Sequence, residues 1–328
     1  MNGFWKDEPV LADELSEVGS LIRASIDNSH GFVRNLLASQ VNRSGKMLRP
    51  ALVLIGGRLG SEEQKQKVKQ IATVLEMVHI ASLIHDDIID NAKTRRGLPT
   101  LNALVGPKQA VLAGDYMLSK AMSLVAGKEG DLQANSVANA FSRLCQSELD
   151  QDANQGNFFI TKATYLRRIA GKTAALFALS SYAGAAVAQA DKKSQYSMHR
   201  IGYLMGMAFQ IQDDILDYEG SSDKLGKEVG RDLLNGIPTL PFLEALQIEK
   251  SFDEKKRKLH QLMSKPRLTK KRMRKALQLV TNLGGVEKAK ETALKYANRA
   301  KDEIKLLGNA EVERLLTNLF EKLNHRNI

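Results

Sequence analysis

The chain is short of several things, and each shortage narrows what it can be. It has one cysteine, Cys145, in 328 residues. That leaves no disulfide framework and no cysteine-built zinc site. Its six histidines show no His-x-x-x-His spacing, so a helical zinc motif is missing as well. Seven prolines are few for this length, and β-branched alternation is nearly absent, which removes the pattern of an all-β chain. The longest uncharged stretch, residues 173–190, is mostly Ala, Ser, Gly and Leu, with Tyr182 and Gln189 inside it. It has about the minimum length of a membrane span, but small side chains suit a tightly packed core helix better. The N-terminus opens Met-Asn-Gly-Phe-Trp-Lys-Asp-Glu-Pro, unlike a secretory signal. The expectation is a soluble, cytoplasmic protein.

Helix formers fill what remains. Hydrophobic residues make up 43% of the chain, enough for one large core. Segments 11–40, 61–90, 108–127, 131–155, 163–190, 194–219, 238–263, 268–283 and 286–324 read as amphipathic or buried helices. Gly, Pro and Asn punctuate their breaks. No repeat, linker or composition shift divides the chain. The pattern predicts an all-α, single-domain helical bundle over 1–328, packed around a central cavity.

Net charge is +11. Residues 250–275 hold twelve Lys and Arg against two acids. Such a block raises the question of nucleic acid. Its one aromatic, Phe252, gives no stacking pattern, and a solvated helical surface fits it better. An anionic membrane surface is the other option.

The most informative feature is a duplicated carboxylate cluster. Asp86, Asp87 and Asp90 form one Asp-Asp-x-x-Asp set, and Asp213, Asp214 and Asp217 form a second. Each follows an apolar, helix-periodic run. Residues four apart share a helix face, with Cβ atoms ~5–6 Å apart, so Asp86 with Asp90, and Asp213 with Asp217, can each aim two carboxylates at one point. Acids crowded at the end of a buried helix repel one another and cost desolvation. A divalent cation removes that cost. Mg²⁺ takes one or two protein carboxylates and completes its octahedron with water and substrate phosphates. A single such cluster is more often a solvated helix face. Two, both downstream of buried stripes, point to metal ions around a diphosphate.

Cations surround these acids. Arg95 and Arg96 follow the first cluster, and Arg forks bind phosphate bidentately. Lys46 and Arg49 stand three apart, which alone reads as an ordinary basic helix turn. Lys172-Thr173 opens the Ala-rich helix, and Lys227 follows the second cluster. His79 lies two helical turns before Asp86, on the same face. Alone it would be a satisfied core residue.

The ordered set Gly45-Lys46…Arg49-Pro50, His79 to Asp90, Arg95-Arg96-Gly97, Gly114-Asp115, Lys172-Thr173 and Phe209 to Asp217 resembles the trans-isoprenyl (polyprenyl) diphosphate synthases over nearly the whole chain. The likeness is to the medium- and long-chain bacterial type, hexaprenyl, heptaprenyl or octaprenyl, including catalytic subunits of two-component enzymes. It implies a prenyltransferase condensing an allylic diphosphate, farnesyl diphosphate first, with isopentenyl diphosphate for a quinone side chain. It implies three Mg²⁺ per active site, held by the six aspartates. Arg95, Lys172 and Lys227 would hold the allylic diphosphate, with Gln210 completing that site. Lys46, Arg49, His79 and Arg96 would hold isopentenyl diphosphate. The oxygens of Thr173 and Gln210 would steady the carbocation. The family's usual base is the released diphosphate.

Two positions depart from the family. Met47 stands where many bacterial members carry Arg, and Ile237 where many have Lys, as in some subunits that work with a helper protein. A homodimer, or a heterodimer with a small helper, is the implied assembly, with peripheral membrane contact for product release and no nucleic acid. Ala81 and Ser82, one turn before Asp86, are expected to line the tunnel for the growing chain. Their small size implies a product of six to eight isoprene units, with Met77 and Phe141 as candidates for the floor. The alternatives are a short-chain synthase, a subunit active only with its partner, and a nucleic-acid-binding helical protein resting on the basic block.

Overall fold

The computed structural model describes residues 3–27, 29, 31–41, 45–126, 131–219, 230–265 and 269–324. The described residues are all-α apart from one two-residue hairpin. They form two compact units. Unit 1 holds residues 1–141 and 179–199, and unit 2 holds 142–178 and 200–328.

Unit 1 is built on long apolar stripes. Helix α1, Pro9–Asp27, buries Leu11, Leu15, Val18, Ile22 and Ile26, a spacing of three and four that keeps one face inward. Helix α2 spans Gly31–Val41, so the 11–40 segment is two helices, not one. Helix α3, Leu48–Gly57, buries every residue except Arg49 and Gly57. The sequence reading contained no helix there, because an all-apolar run shows no periodicity. Helix α4, Lys65–Ile89, packs against both α1 and α3 and is buried over most of Val68 to Ile84. A hairpin pairs Thr94–Arg95 with Leu98–Pro99. Thr100 then caps α5, Leu101–Val105, by accepting from the Ala103 N–H. Helix α6, Pro107–Val125, starts on a proline, which costs no hydrogen bond at that position, and packs along α4.

The chain passes between the units within α7, Asp131–Ala153, α9, Ala175–Val187, and α10, Lys192–Glu219. Unit 2 adds α8, Lys162–Ile169, capped by Thr161. Between α8 and α9 lies a π-helical turn, Ala170–Ala174. The remaining helices are α11 (Arg231–Leu234), α12 (Leu240–Glu249), α13 (Lys258–Met263), α14 (Lys270–Asn282), α15 (Gly285–Lys305) and α16 (Ala310–Asn324). The 238–263 and 286–324 segments are therefore each broken. In the second, the break holds Gly308, at φ 67°, a backbone state few other residues adopt cheaply. Tyr165, Met207, Ile211, Ile215 and Phe242 lie at the centre of this unit's core. In the basic block, α14 turns Met273, Ala276 and Val280 inward and leaves Lys271, Arg274 and Lys275 exposed.

Candidate active site

Both acid clusters stand at the C-terminal ends of their helices, Asp86–Asp90 ending α4 and Asp213–Asp217 in the last two turns of α10. The partial negative charge there disfavours carboxylates and favours cations. Neither helix has a basic residue in its last turn. Acids placed at these helix ends are costly, and hydrogen-bond donors and cations relieve that cost.

In unit 1 the three acids differ. Asp90 is exposed and Asp86 half-buried. Asp87 is 4% exposed, and its Oδ1 accepts from Nε of Arg95 at 2.8 Å. Arg95, expected on the allylic diphosphate, is thus already tied to the cluster. Arg96 sits at the hairpin turn with φ 52°, followed by Gly97 with φ 76°. Two consecutive positive φ values make a tight hairpin turn, and an arginine in the first position is strained by roughly 1–3 kcal/mol. Its guanidinium lies directly over Gly45. A Cβ there would fall 2.4 Å from Nη1 of Arg96, so only glycine lets the arginine rest at this spot.

Next to this hairpin lies a cleft of about 170 Å³, lined in part by Gly45, Glu76, His79, Asp87, Arg95 and Arg96. Burial lowers the Arg49 pKa to about 10, with Glu76 and Asp86 opposing the shift. Burial, with Arg49, Arg96 and Arg95 adding to it, pushes His79 well below the usual imidazole value. A neutral His79 keeps one N–H to donate. Glu76 was missed in the sequence. It is 3% exposed, burial raises it to about 7 against the pull of Arg49 and Arg96, and its Oε2 has no hydrogen-bond partner among the described residues. A charged residue inside the run Val74-Leu75-Glu76-Met77-Val78, one turn before His79, was the available signal. Ala81 is fully buried, and Ser82, also buried, donates its hydroxyl to the His79 carbonyl at 2.8 Å.

Unit 2 builds its cluster around a hydrogen-bonded chain. Tyr165 donates to Oδ2 of Asp214 at 2.6 Å. Oδ1 of Asp214 accepts from the Gln210 amide at 2.9 Å. The Gln210 carbonyl accepts from the Thr173 hydroxyl at 2.6 Å. Thr173 reaches Gln210 because α10 carries Gly206 against the π turn, where a Cβ would lie 2.6 Å from the Ala174 Cα. Such π turns recur at functional sites. Lys172, in the same turn, pairs with Glu148 at 2.8 Å.

The other acids of this cluster also differ. Burial, with nearby Asp232 adding to it, raises Asp214 to about 7. Asp232 itself is raised to about 6, by burial and by Asp217. Asp217 accepts the backbone N–H groups of Arg231 and Asp232, each at 3.1 Å, and so caps α11. Asp213 is half-buried. Tyr165, Glu148 and Asp232 were all missed, because nothing in their spacing ties them to the second cluster. Lys227 lies outside the described residues.

Among the described residues, no three acidic, His or Cys groups converge as a ready-made cage. Mg²⁺ does not need one, since one or two carboxylates suffice beside substrate phosphates. The acids that are not fully buried, Asp86 and Asp90 in unit 1 and Asp213 and Asp217 in unit 2, leave a pair of carboxylates in each unit. No helix among the described residues is long and apolar enough to cross a membrane.

Residues 31–280 match the family model of polyprenyl synthetase. Component 2 of heptaprenyl diphosphate synthase from Geobacillus stearothermophilus is 37% identical over 73% of this chain and 75% of its own length. In structure, the heptaprenyl diphosphate synthase of Staphylococcus aureus superposes with a TM-score of 0.89 at 30% identity, covering 97% of this chain and 99% of that one. A geranylgeranyl pyrophosphate synthase from Lactobacillus brevis gives 0.88, also at 30%, over 98% and 99%. The chain belongs to the polyprenyl synthetase family and is, as a member of it, a prenyltransferase.

Proposed function

We propose that this chain extends an allylic diphosphate, farnesyl diphosphate first, with successive isopentenyl diphosphates in trans, making a polyprenyl diphosphate of about six to eight isoprene units for a quinone side chain. The observation that carries this reading is the unit 1 cleft. It gathers Arg96 and a neutral His79, with Arg49 close enough to act on both His79 and Glu76, cations and a donor that suit a diphosphate.

Each residue then has a task. Asp86, Asp90 and Asp213 would hold Mg²⁺, each being at least partly exposed. Asp87, Asp214 and Asp217 have oxygens engaged by Arg95, by Tyr165 and Gln210, and by the α11 backbone, which suits them to fixing the shape around the ligands. Mg²⁺, when bound, neutralises charge on the departing diphosphate. Lys172 adds a point charge for the allylic diphosphate, as would Lys227, while Arg95 orients Asp87 beside it. Lys46, Arg49, His79 and Arg96 hold isopentenyl diphosphate. The allylic C–O bond breaks with its electron pair leaving on diphosphate. The isopentenyl double bond attacks the cation, and the released diphosphate takes the proton. Thr173 and Gln210 present fixed oxygens to the positive carbon, a preorganised electrostatic contribution. Holding both substrates in register can supply ~7–11 kcal/mol.

The product length rests on Ala81 and Ser82 and on the heptaprenyl relatives. The fold does not decide it, since a geranylgeranyl synthase superposes as well. The component 2 name of a relative and Ile237 in place of a family cation favour an enzyme that works with a helper subunit, with a homodimer as the alternative. The cytoplasm is the proposed location, with peripheral membrane contact at product release. The test is the purified chain with farnesyl diphosphate, labelled isopentenyl diphosphate and Mg²⁺, alone and with a helper subunit. Long products would support the reading, and products ending at geranylgeranyl length would favour the short-chain alternative.

A further inference from the structure

Lys46 is held in place by two aromatic residues that the motifs do not include. The loop before α3 is conformationally costly. Met47, the residue that starts the helix, sits in the left-handed region at φ 49° and ψ 44° with no side-chain cap, a state that costs a non-glycine residue roughly 1–2 kcal/mol. Something outside the loop has to hold it. The N-terminal turn Gly3–Trp5 does so at two points. The Trp5 indole N–H donates to the Lys46 carbonyl at 2.7 Å, bridging forty-one positions of sequence. The Lys46 ammonium stands 4.7 Å from the centre of the Phe4 ring, within cation–π range. Phe4 and Trp5 brace each other edge to face, with centroids 4.9 Å apart. Trp5 is 4% exposed, so the one polar atom of its side chain is spent on this bond. The residue before Lys46 is Gly45, which carries the Arg96 guanidinium.

We propose that Phe4 and Trp5 are positioning residues for isopentenyl diphosphate. Trp5 fixes the backbone on which Lys46 stands, and Phe4 holds the ammonium ready while the site is empty. A lysine carries ~2 kcal/mol of rotamer entropy, and prior ordering removes part of that cost from substrate binding. The same fixed backbone keeps Gly45 under Arg96, so loosening it disturbs two cations at once. This rests on the assignment of Lys46 and Arg96 to isopentenyl diphosphate, and the experiment separates the two claims.

The experiment measures steady-state kinetics for W5F, F4L and K46A in the active assembly. W5F keeps an aromatic ring and removes the donor. Loss of one such hydrogen bond should raise the KM for isopentenyl diphosphate about five-fold, with the allylic KM and kcat within about two-fold of wild type. F4L should move the same constant in the same direction by less. An unchanged KM in W5F, beside a raised one in K46A, overturns the positioning role and leaves the Lys46 assignment standing. An unchanged KM in K46A overturns both. Trp5 is the only tryptophan, so wild-type emission reports on this joint without any substitution. Titration with isopentenyl diphosphate alone should change that emission, and a flat titration at saturating concentration overturns the coupling even where W5F does not fold.

Discussion

Tyr165 donates its phenolic hydrogen to Oδ2 of Asp214 at 2.6 Å, and neither residue is more than 4% exposed. Forty-nine positions separate them. The bond joins the start of α8 to the second acid cluster, and through Gln210 it sets the direction of the Thr173 hydroxyl. A carboxyl buried this deeply needs its oxygens satisfied, and the tyrosine and the amide do so from two sides.

Tyr165→Phe should therefore cost both stability and rate. Removing a donor from a buried carboxylate costs about 1–3 kcal/mol, read from urea unfolding. Gln210 then loses its fixed partner geometry, and kcat should fall about ten-fold, equivalent to about 1.4 kcal/mol of transition-state stabilisation, with both KM values near wild type. A stability loss with unchanged kcat would separate the tyrosine from the chemistry.

The six aspartates should not respond alike. Asp86→Ala and Asp213→Ala should each lower kcat by at least ~10²-fold, since each removes charge stabilisation worth a few kcal/mol. Asp217→Asn should act first on stability, by about 1 kcal/mol, because its carboxylate caps α11 through two backbone N–H groups. Kinetics beside thermal melts on the three variants check this. Equal kcat losses with equal melting temperatures would mean that Asp217 is a ligand like the others.

Glu76 makes the stability depend on pH with a definite sign. Its folded-state pKa of about 7 lies above the ordinary 4.5. Between those values the folded protein keeps a proton that the unfolded chain has released, so stability falls as pH rises through that window. Glu76→Gln cannot titrate. The drop in urea midpoint from about pH 5 to about pH 7.5 should be shallower in the variant than in wild type. Parallel curves would show that Glu76 is ionised throughout.

Ala81→Phe tests product length. Ala81 is fully buried, so a ring there must take space from its surroundings, and overpacking costs about 1–3 kcal/mol. With the diphosphate residues untouched, condensation should continue but stop at about three or four isoprene units. Chromatography of dephosphorylated products decides it, run with the helper subunit if the enzyme needs one. An unchanged long product would remove Ala81 from the tunnel wall.

Much of this molecule was legible in its sequence because helix and motif are local properties. The apolar period of α1, the buried stripe of α4 ahead of Asp86, and that of α10 ahead of Asp213 fix the helices and place the acids at their ends. The family follows from the same residues. Helix α3 was missed because a run buried on all sides has no period to read. The two-helix segments were read as single helices because breaks such as 306–309, which holds Gly308, are short beside the helices they separate.

Tertiary structure alone decided which acid meets which partner. Asp86, Asp87 and Asp90 are chemically identical in the sequence, yet Asp87 meets Arg95 from the hairpin that follows α4 while Asp90 faces solvent. Asp214 and Asp217 are likewise separated only by what folds against them, Tyr165 in one case and the α11 backbone in the other. The same holds for Glu76, set beside Arg49 and Arg96, and for Trp5, bonded to the Lys46 carbonyl. Burial and hydrogen-bond partners come from residues distant in the chain, and the energy of a buried charge depends on those partners far more than on its sequence neighbours.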